Sequence, residues 1–548
     1  METFDSIIIG SGVGGLATAI CLARAGQKVV VLEQHYVPGG WGHSFTLNGQ
    51  RFSPGVHYVG LIAEGQSTNE LYRGIGIAND MVFFQMNRKG YEHCLINGET
   101  INFPAGIENL KRTLSDRFPK EEKNIKEYLT LVERVSYELQ LIPKLKGWWQ
   151  IITVPFRTKH FGKFALFSLK KVIGWHVKDP LLKAVLNIQC GDHGLSPNRA
   201  CFPVHCSVMS HYFDGGFYPM GGGGGIIKAM TNGVKRNGGE IRVKQSVVKI
   251  LIENKKAIGV QLKDGQQIFA KTIVSNADPS ITYLNLIGKK HLSKGLIKKL
   301  EKTKYSVTSL ILFLTLDMDV TKFGIDSGNI WMMKDENDDK NYDNLMNQPI
   351  TEGDDFPAIF ISCTTIKDPV SFNGRYHNFE VVTYVNYDQL SEFNGLEDYH
   401  NDRYKAFKEI VINKLMNNLE KIIPNAKKHV VQAELGTPKT NEFYINSTRG
   451  NVYGTEKTLN QVGPFSFKNK TEIENFFLCG SSTLSHGVSG ATHSGVSAAS
   501  AILNCKPDDL LVKNLDQKLR IYDAEDVSTW PEWVHKKRSD KIRNFKEI

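Results

Sequence analysis

An α/β fold built on a dinucleotide-binding Rossmann unit is predicted by three observations. A glycine-rich turn near the start of the chain joins a short isoleucine-rich run to a helically spaced one. A second turn rich in glycine, serine and histidine precedes the last apolar helical run, and a long stretch of different patterning lies between them. At 548 residues the chain is too long for one compact core and suits two interleaved domains with a modest tail.

The opening elements carry most of this reading. Phe4 to Ile9 is a short apolar run stopped by glycine, a buried strand. Gly10-Ser11-Gly12-Val13-Gly14-Gly15 comes next, and small and apolar residues then recur at helical spacing from Leu16 to Ala25 before Gly26 ends the run. Gln27 to Glu33 is a second strand, completing a βαβ unit. Gly10 permits the tight turn, Gly12 lets backbone approach a pyrophosphate, and Gly15 lets helix and strand pack closely. The helix N-terminus offers free N–H groups and the positive end of its dipole. Glu33, followed by Gln34, is placed to accept hydrogen bonds from ribose hydroxyls. A glycine turn alone has a purely structural explanation; the flanking strands, helix and acid make it a dinucleotide site.

The segment after the acid argues for FAD rather than NAD. Pro38-Gly39-Gly40-Trp41-Gly42-His43-Ser44-Phe45 provides further backbone to wrap the ribityl and phosphate part of a longer cofactor. The expected fold is therefore a glutathione-reductase-type FAD-binding Rossmann fold with an interleaved α+β substrate domain. The FAD-binding domain is expected to be discontinuous, at 1–90, 216–300 and 435–505. The substrate and membrane-facing domain takes 91–215 and 301–434, and 506–548 forms a basic, peripheral helical tail.

Between these landmarks the patterning is mixed. Polar helical character runs from Glu121 to Glu138. Five glycines, Gly221 to Gly225, open an amphipathic helix and lack a preceding buried strand, so they are read as a loop and not as a second dinucleotide site. Alternating strands run from Glu240 to Ser275, an apolar strand from Tyr305 to Asp317, and acidic, Asn-rich loops from Lys334 to Asp355. The last unit is a strand at Phe476 to Cys479, a turn, and a helix from about Ser494 to Leu503. The eight cysteines show no CxxC pair, so neither a metal site nor a disulfide framework is expected.

Several motifs give the chain a resemblance to the phytoene desaturase and carotenoid isomerase superfamily of FAD-dependent flavoproteins, particularly its retinol saturase-like branch. Arg51 to Gly60 (RFSPGVHYVG) and His211 to Pro219 (HYFDGGFYP) are similar to signatures of that branch, as are Ile273 to Asp278 (IVSNAD) and the block from Gly436 to Gly454. The resemblance covers nearly the whole chain. It implies that Val247 holds the adenine through its backbone. It also implies that Phe477 to Gly480 with the adjoining Ser481, and Gly487-Val488-Ser489-Gly490, lie against the ribityl chain and flavin ring. Ser53 stands where the branch has an acid, Trp41 where many relatives have arginine, and Met220 precedes an all-glycine run.

The resemblance further implies an apolar isoprenoid polyene, a carotenoid or retinoid, acted on by saturation, cis–trans isomerisation or desaturation. His57 is the candidate catalytic residue, as a proton donor or as a group orienting the flavin; a buried histidine satisfied by backbone is an equal reading. His211, Tyr212 and His486 are secondary candidates that equally suit a pocket lining. An external electron donor or acceptor is expected. An amine-oxidase-like enzyme of a soluble substrate and a non-catalytic flavin-containing pigment binder are the competing functions.

Composition narrows the setting. The residues from Leu141 to Val177 mix Trp148, Trp149, Phe156, Phe161, Phe164, Phe167 and Trp175 with basic side chains and contain no acid. Such a segment suits a membrane surface, with aromatics in the interface and lysines at anionic headgroups; a helix pair with a solvated basic face is the alternative. No apolar run approaches the roughly 20 residues that span a bilayer, and the start lacks the marks of a signal peptide. A cytoplasmic protein associated peripherally with membrane is expected. The net charge of +10 is mild for this length, and with no nucleic-acid module evident, RNA and DNA are not expected partners.

Overall fold

The computed structural model describes residues 2–142, 157–395, 401–513 and 516–546. β1 (Thr3–Ile9), α1 (Val13–Arg24) and β2 (Val29–Leu32) form the expected βαβ unit. The two strands are parallel, paired from Ser6–Val29 to Ile9–Leu32. Ile7, Ile8, Val30 and Val31 are wholly buried, which is why these strands read as unbroken apolar runs: both faces of the sheet are covered. Two glycines fix the geometry here. Gly10 sits at φ +89°, a left-handed conformation that ends β1 in a tight turn. A Cβ on Gly15 would lie 2.2 Å from the Gly10 carbonyl oxygen, so the first turn of α1 is pressed directly on the strand end.

Around this unit a parallel sheet is assembled from distant stretches. Gln267–Ser275 lies beside β1, Glu240–Arg242 beside β2, and Phe476–Leu478 beside the last three residues of Gln267–Ser275. Val247–Glu253 and Lys256–Leu262 extend the sheet antiparallel from the start of that long strand. The closing helix, Gly487–Leu503, packs across α1, and the Thr18 hydroxyl donates to the Gly495 carbonyl at 3.0 Å. A second seven-stranded sheet runs in the order Val430–Gly436, Thr308–Leu316, His377–Val385, Ala358–Cys363, Asn329–Met333, Glu92–Ile96 and Glu99–Phe103. Its second strand, Thr308–Leu316, is buried at every residue. Helices Ile107–Arg117, Glu122–Leu141 and Phe202–His211 pack near this sheet in the largest apolar core.

Four expectations are corrected. The acidic stretch from Lys334 to Asp355 contains a helix, Asp338–Asn347, because the Asn337 side chain caps it and Tyr342 and Leu345 bury on one face. The glycine run does follow a buried strand, Phe217–Pro219, but that strand pairs with Val82–Gln85 in a separate three-stranded sheet. Three of its five glycines already belong to the helix Gly223–Arg236. The helix expected from about Ser494 starts at Gly487, seven residues earlier, so the end of the glycine- and serine-rich turn, Gly487 to Gly490, is its first turn. The residues after 506 are more than a peripheral helical tail: Arg520–Asp523 pairs with Val82–Gln85, and Trp530, just before the helix Glu532–Lys546, and Val534, in its first turn, are buried against Phe84.

Substituting Gly15→Ala is expected to destabilise the protein by about 1–3 kcal/mol through overpacking against fixed backbone. A fall in the urea midpoint followed by circular dichroism checks it; an unchanged midpoint contradicts the tight contact between α1 and β1.

Candidate functional site

A cavity of about 1260 Å³ opens at the carboxyl ends of β1 and β2 and reaches the inner face of the second sheet. Crevices at strand carboxyl ends are where open α/β sheets hold ligands. Its volume exceeds the roughly 300–1,000 Å³ of a single small-molecule site, enough for a dinucleotide and a second occupant.

The residues named from sequence converge on it. Gly10, Ser11, Gly12, Gly14, Glu33, Gln34, Gly39, Gly40, Trp41, Gly42, His43, His57, Val247, Gly480, Ser481, Val488 and Ser489 all line the cavity. Gly15 and Ser44 do not. Gly15 is the packing point beneath α1, and the Ser44 hydroxyl accepts from the Gly224 N–H at 2.8 Å and donates to the Gly221 carbonyl at 3.1 Å, pinning the glycine run. Two more amides of that run are engaged likewise: Gly221 donates to Asp368 at 2.7 Å and Gly223 to the Ser53 hydroxyl at 2.8 Å.

Two features suit a flavin dinucleotide. First, no side chain caps α1 at Gly12 or the last helix at His486, so both helix N-termini present backbone N–H groups and positive dipole ends at the same cavity. A diphosphate at one and an electron-rich ring at the other match that field. Second, the acid at the end of β2 organises the loops. Glu33 accepts from the Ser11 N–H at 2.9 Å and the Ser11 hydroxyl at 2.6 Å with one oxygen, and from the His35 N–H at 2.8 Å with the other. The Ser11 hydroxyl in turn accepts from the Gly39 N–H at 2.9 Å. Sequence reasoning gave Glu33 to a ribose; the structure shows it tying the first glycine turn to the second.

The far half of the cavity is built by the second sheet. Ile311, Trp331, Phe360, Val382 and Tyr384 form an apolar and aromatic wall, and Leu139, Phe161, Ala165 and Leu166 line the cavity as well. Leu166 also stands 79% exposed, so there the lining reaches solvent. Of the basic aromatic segment, Trp148, Trp149 and Phe156 lie outside the described residues. Phe164 is buried, whereas Trp175 is 52% exposed, with Phe167 against its ring at 5.0 Å. Lys171 lies over both Phe167 and Trp175.

His57 lies on the wall, its ring against Phe360 at 5.1 Å and its Nδ1 held by the buried Glu380 carboxylate at 3.0 Å. The other oxygen of Glu380 accepts from the Ser53 N–H at 2.5 Å. Lys367, fully buried, donates to the His57 carbonyl at 3.0 Å and to the Ser362 hydroxyl at 2.7 Å; burial lowers its ammonium to about 7. Glu380, on the strand His377–Val385, had no motif to announce it, because its partnership with His57 exists only across the two sheets. His211 accepts the Gly60 N–H at Nε2, 3.0 Å away. His486 meets the Asp192 carbonyl at 3.0 Å, and Tyr212 stacks on Tyr58 at 4.1 Å. All three secondary candidates thus line the cavity.

Two further clusters escaped the sequence. The Tyr58 hydroxyl lies 2.5 Å from Glu92 and 2.6 Å from Asp192, with Tyr58 and Asp192 on the cavity wall. Cys190, His193 and His205 bring their ligating atoms within 4.8 Å of one another in the core. Burial holds that thiol high and both imidazoles low, so the three are neutral, and the imidazoles face each other at 3.3 Å. Neither set has a recognisable spacing. An acid in a glycine-flanked turn, Gly191-Asp192-His193-Gly194, is the one local sign.

Fold and cavity together define a flavin-type oxidoreductase. The chain belongs to the flavin-containing amine oxidoreductase family, whose model matches residues 13–503, and FAD is its cofactor. It is 29% identical to human all-trans-retinol 13,14-reductase over 95% of this chain and 88% of that protein. It is 26% identical to prolycopene isomerase 1 of an Oncidium hybrid cultivar over 91% of this chain and 83% of that protein. Among solved structures, an oxidoreductase from Methanosarcina mazei superposes with a TM-score of 0.61 at 17% identity, covering 91% of this chain and all (100%) of that one. The retinol saturase and carotenoid isomerase resemblance drawn from the motifs is therefore supported along the chain.

The buried histidines make stability depend on acidity. Burial lowers His205, His211 and His377 to about 4 and His486 to about 3. Between about pH 6.5 and about pH 4 the unfolded chain binds protons that these histidines refuse in the native state, so their contribution to stability falls as pH drops through that window. Buried acids such as Glu92, raised to about 7, contribute with the opposite sign, so the histidine share is read by difference: between about pH 7.5 and about pH 5 the urea midpoint of the His211→Gln variant, which keeps an acceptor for Gly60, is expected to change less unfavourably than that of the wild type.

Proposed function

We propose that this protein is an FAD-dependent oxidoreductase of C–C and C=C bonds in an apolar isoprenoid polyene, a retinoid or carotenoid, working by saturation or cis–trans isomerisation. The observation that carries the reading is the continuity of the cavity: helix N-termini suited to the cofactor at one end, a long apolar and aromatic chamber at the other. The names of the similar proteins, a retinol reductase and a prolycopene isomerase, agree with that shape. In this reading residues 1–90, 216–300 and 435–505 hold the cofactor and the rest of the core holds the substrate.

When bound, the flavin supplies or accepts hydride at its N5 atom. The chain's part is to place and isolate. The uncapped start of α1 with Gly12 to Gly14 holds the diphosphate, and Glu33 and Gln34 meet the ribose. The Val247 backbone contacts the adenine, and Gly480, Ser481, Val488 and Ser489 flank the ring. Trp331, Phe360 and Tyr384 lay the polyene in a dry slot, and Glu380 fixes the His57 imidazole beside it. Reducing equivalents come from an external partner, because the second glycine run commits its amides to Asp368, Ser53 and Ser44.

The exposed Leu166 and Trp175, with Lys163 and Lys171 nearby, suit the cytoplasmic surface of a membrane, where a lipid-dissolved substrate enters beside Leu166. Among the described residues no helix is long and apolar enough to cross a membrane. Co-sedimentation with phosphatidylserine vesicles is expected, and Leu166→Asp with Trp175→Asp is expected to abolish it; equal sedimentation of the double variant contradicts the surface.

Anaerobic photoreduction, then mixing with a retinoid or carotenoid, tests the chemistry. Flavin reoxidation with a blue-shifted polyene indicates saturation, and a changed polyene with unchanged flavin indicates isomerisation. Oxidised protein that bleaches while lengthening the polyene is a desaturase. Rapid reduction by amines indicates the amine-oxidase reading, and no change anywhere the pigment-binding one.

A further inference from the structure

The contacts of Tyr58 carry a proton count. Its one hydroxyl oxygen lies 2.5 Å from a Glu92 oxygen and 2.6 Å from an Asp192 oxygen. Separations this short are O–H···O hydrogen bonds, and each needs its own proton. The phenol supplies one and an ionised carboxylate none, so one of the two acids is a neutral carboxylic acid.

The surroundings decide which. Glu92 accepts from three donors: the Tyr58 hydroxyl, the Trp331 indole N–H at 3.1 Å and the Gln189 amide at 3.2 Å. That is the environment of a carboxylate. Asp192 touches Tyr58 with one oxygen; its other oxygen has no hydrogen-bond partner among the described residues, and the residue lines the cavity. Of the groups around the pair, Lys367 is the cation whose field favours ionised Glu92, while Tyr91, Tyr212, Tyr384 and Tyr453 stay as phenols, all pushed above their ordinary range by burial. Burial, and then the charge of Glu92, raise Asp192 well above the carboxylate range, whereas Glu92 rises to about 7. Geometry and electrostatics agree that Asp192 holds the extra proton.

We propose that Asp192 is the proton donor to the polyene in reductive turnover, with Tyr58 and Glu92 as the positioning residues that keep its carboxyl group neutral; this rests on the polyene-saturating reading of the cavity. The balance is simple. One carbon of the reacting C=C bond takes a hydride, two electrons and a proton, from reduced FAD. The π bond opens, the Asp192 carboxyl group turns its O–H from the Tyr58 oxygen into the cavity, that O–H bond breaks, and its proton forms the second C–H bond. The polyene gains two hydrogens, FAD is left oxidised until the external donor reduces it, and the Asp192 carboxylate is reprotonated from solvent water entering the cavity. Tyr58 stabilises that carboxylate by donating to it in the interval.

Infrared spectroscopy of the holoprotein without substrate reads the acid directly. A neutral-carboxyl C=O stretch that shifts in D₂O is expected in the wild type. Other buried acids, Asp338 among them, add to that band, so the difference is what reports: one component is expected to be lost in Asp192→Asn, an isosteric change expected to leave FAD bound, and displaced in Tyr58→Phe. In single turnover of photoreduced enzyme with a retinoid or carotenoid, Asp192→Asn is expected to slow polyene reduction by about a hundredfold or more. Its flavin is expected to reoxidise with a soluble quinone at the wild-type rate. A carboxyl band left unchanged by Asp192→Asn, or an active wild type matched by an equally active Asp192→Asn, overturns the donor role alone. A wild type inert toward every polyene overturns the polyene reading and the donor role together, and the infrared band still reports the protonation of Asp192 separately.

Discussion

The carboxylate of Glu33 gathers the Ser11 N–H and hydroxyl and the His35 N–H onto its two oxygens, and through Ser11 it also holds Gly39. Three backbone segments on the cavity, the first glycine turn, the residues after β2 and the second glycine turn, are thereby fixed to one buried group. Removing it would leave the Ser11 N–H and hydroxyl and the His35 N–H without that acceptor, at about 1–3 kcal/mol for each donor that stays buried. The uncapped N-terminus of α1 can stay open to a ligand because Glu33 has already satisfied the loop around it.

A second tie joins this half of the molecule to the other. Glu380 reaches from the second seven-stranded sheet to the Ser53 N–H and the His57 ring, and Lys367 reaches from the same side to the His57 carbonyl. A carboxylate and a lysine are costly in a core unless their hydrogen bonds are made. Here they are made to the segment that carries His57 past the cavity, so the cost of burial is offset and the cavity wall gains a fixed orientation. Alongside it, Glu92, Asp192 and Tyr58 put two more acids into the same wall. Such a concentration of buried ionisable groups beside an apolar chamber is characteristic of sites where proton position matters.

The exposed side of the chamber has a different character. Leu166 and Trp175 face solvent while Phe164, close to both in sequence, is buried. The sequence shows the aromatic and basic composition of this segment, but not which rings point inward. Similarly, the glycine run after Pro219 looks like a phosphate loop in composition, and only its hydrogen bonds to Asp368, Ser53 and Ser44 show its amides already occupied.

The chain by itself determined what depends on neighbours in sequence. The βαβ unit, the glycine turns and the acid after β2 are local patterns whose physical requirements, a tight turn and a covered strand, are written in adjacent residues. The flavin class came from those patterns and from the motif resemblance. Element ends were less legible where capping and burial compete with composition, as at Asn337 and Gly487. Tertiary structure alone decided the chemistry of the wall. Tyr58 meets Asp192 across 134 positions and His57 meets Glu380 across 323, and no periodicity links residues so far apart. Their protonation is set by burial and by each other's charge, quantities that exist only once both sheets have closed around the cavity.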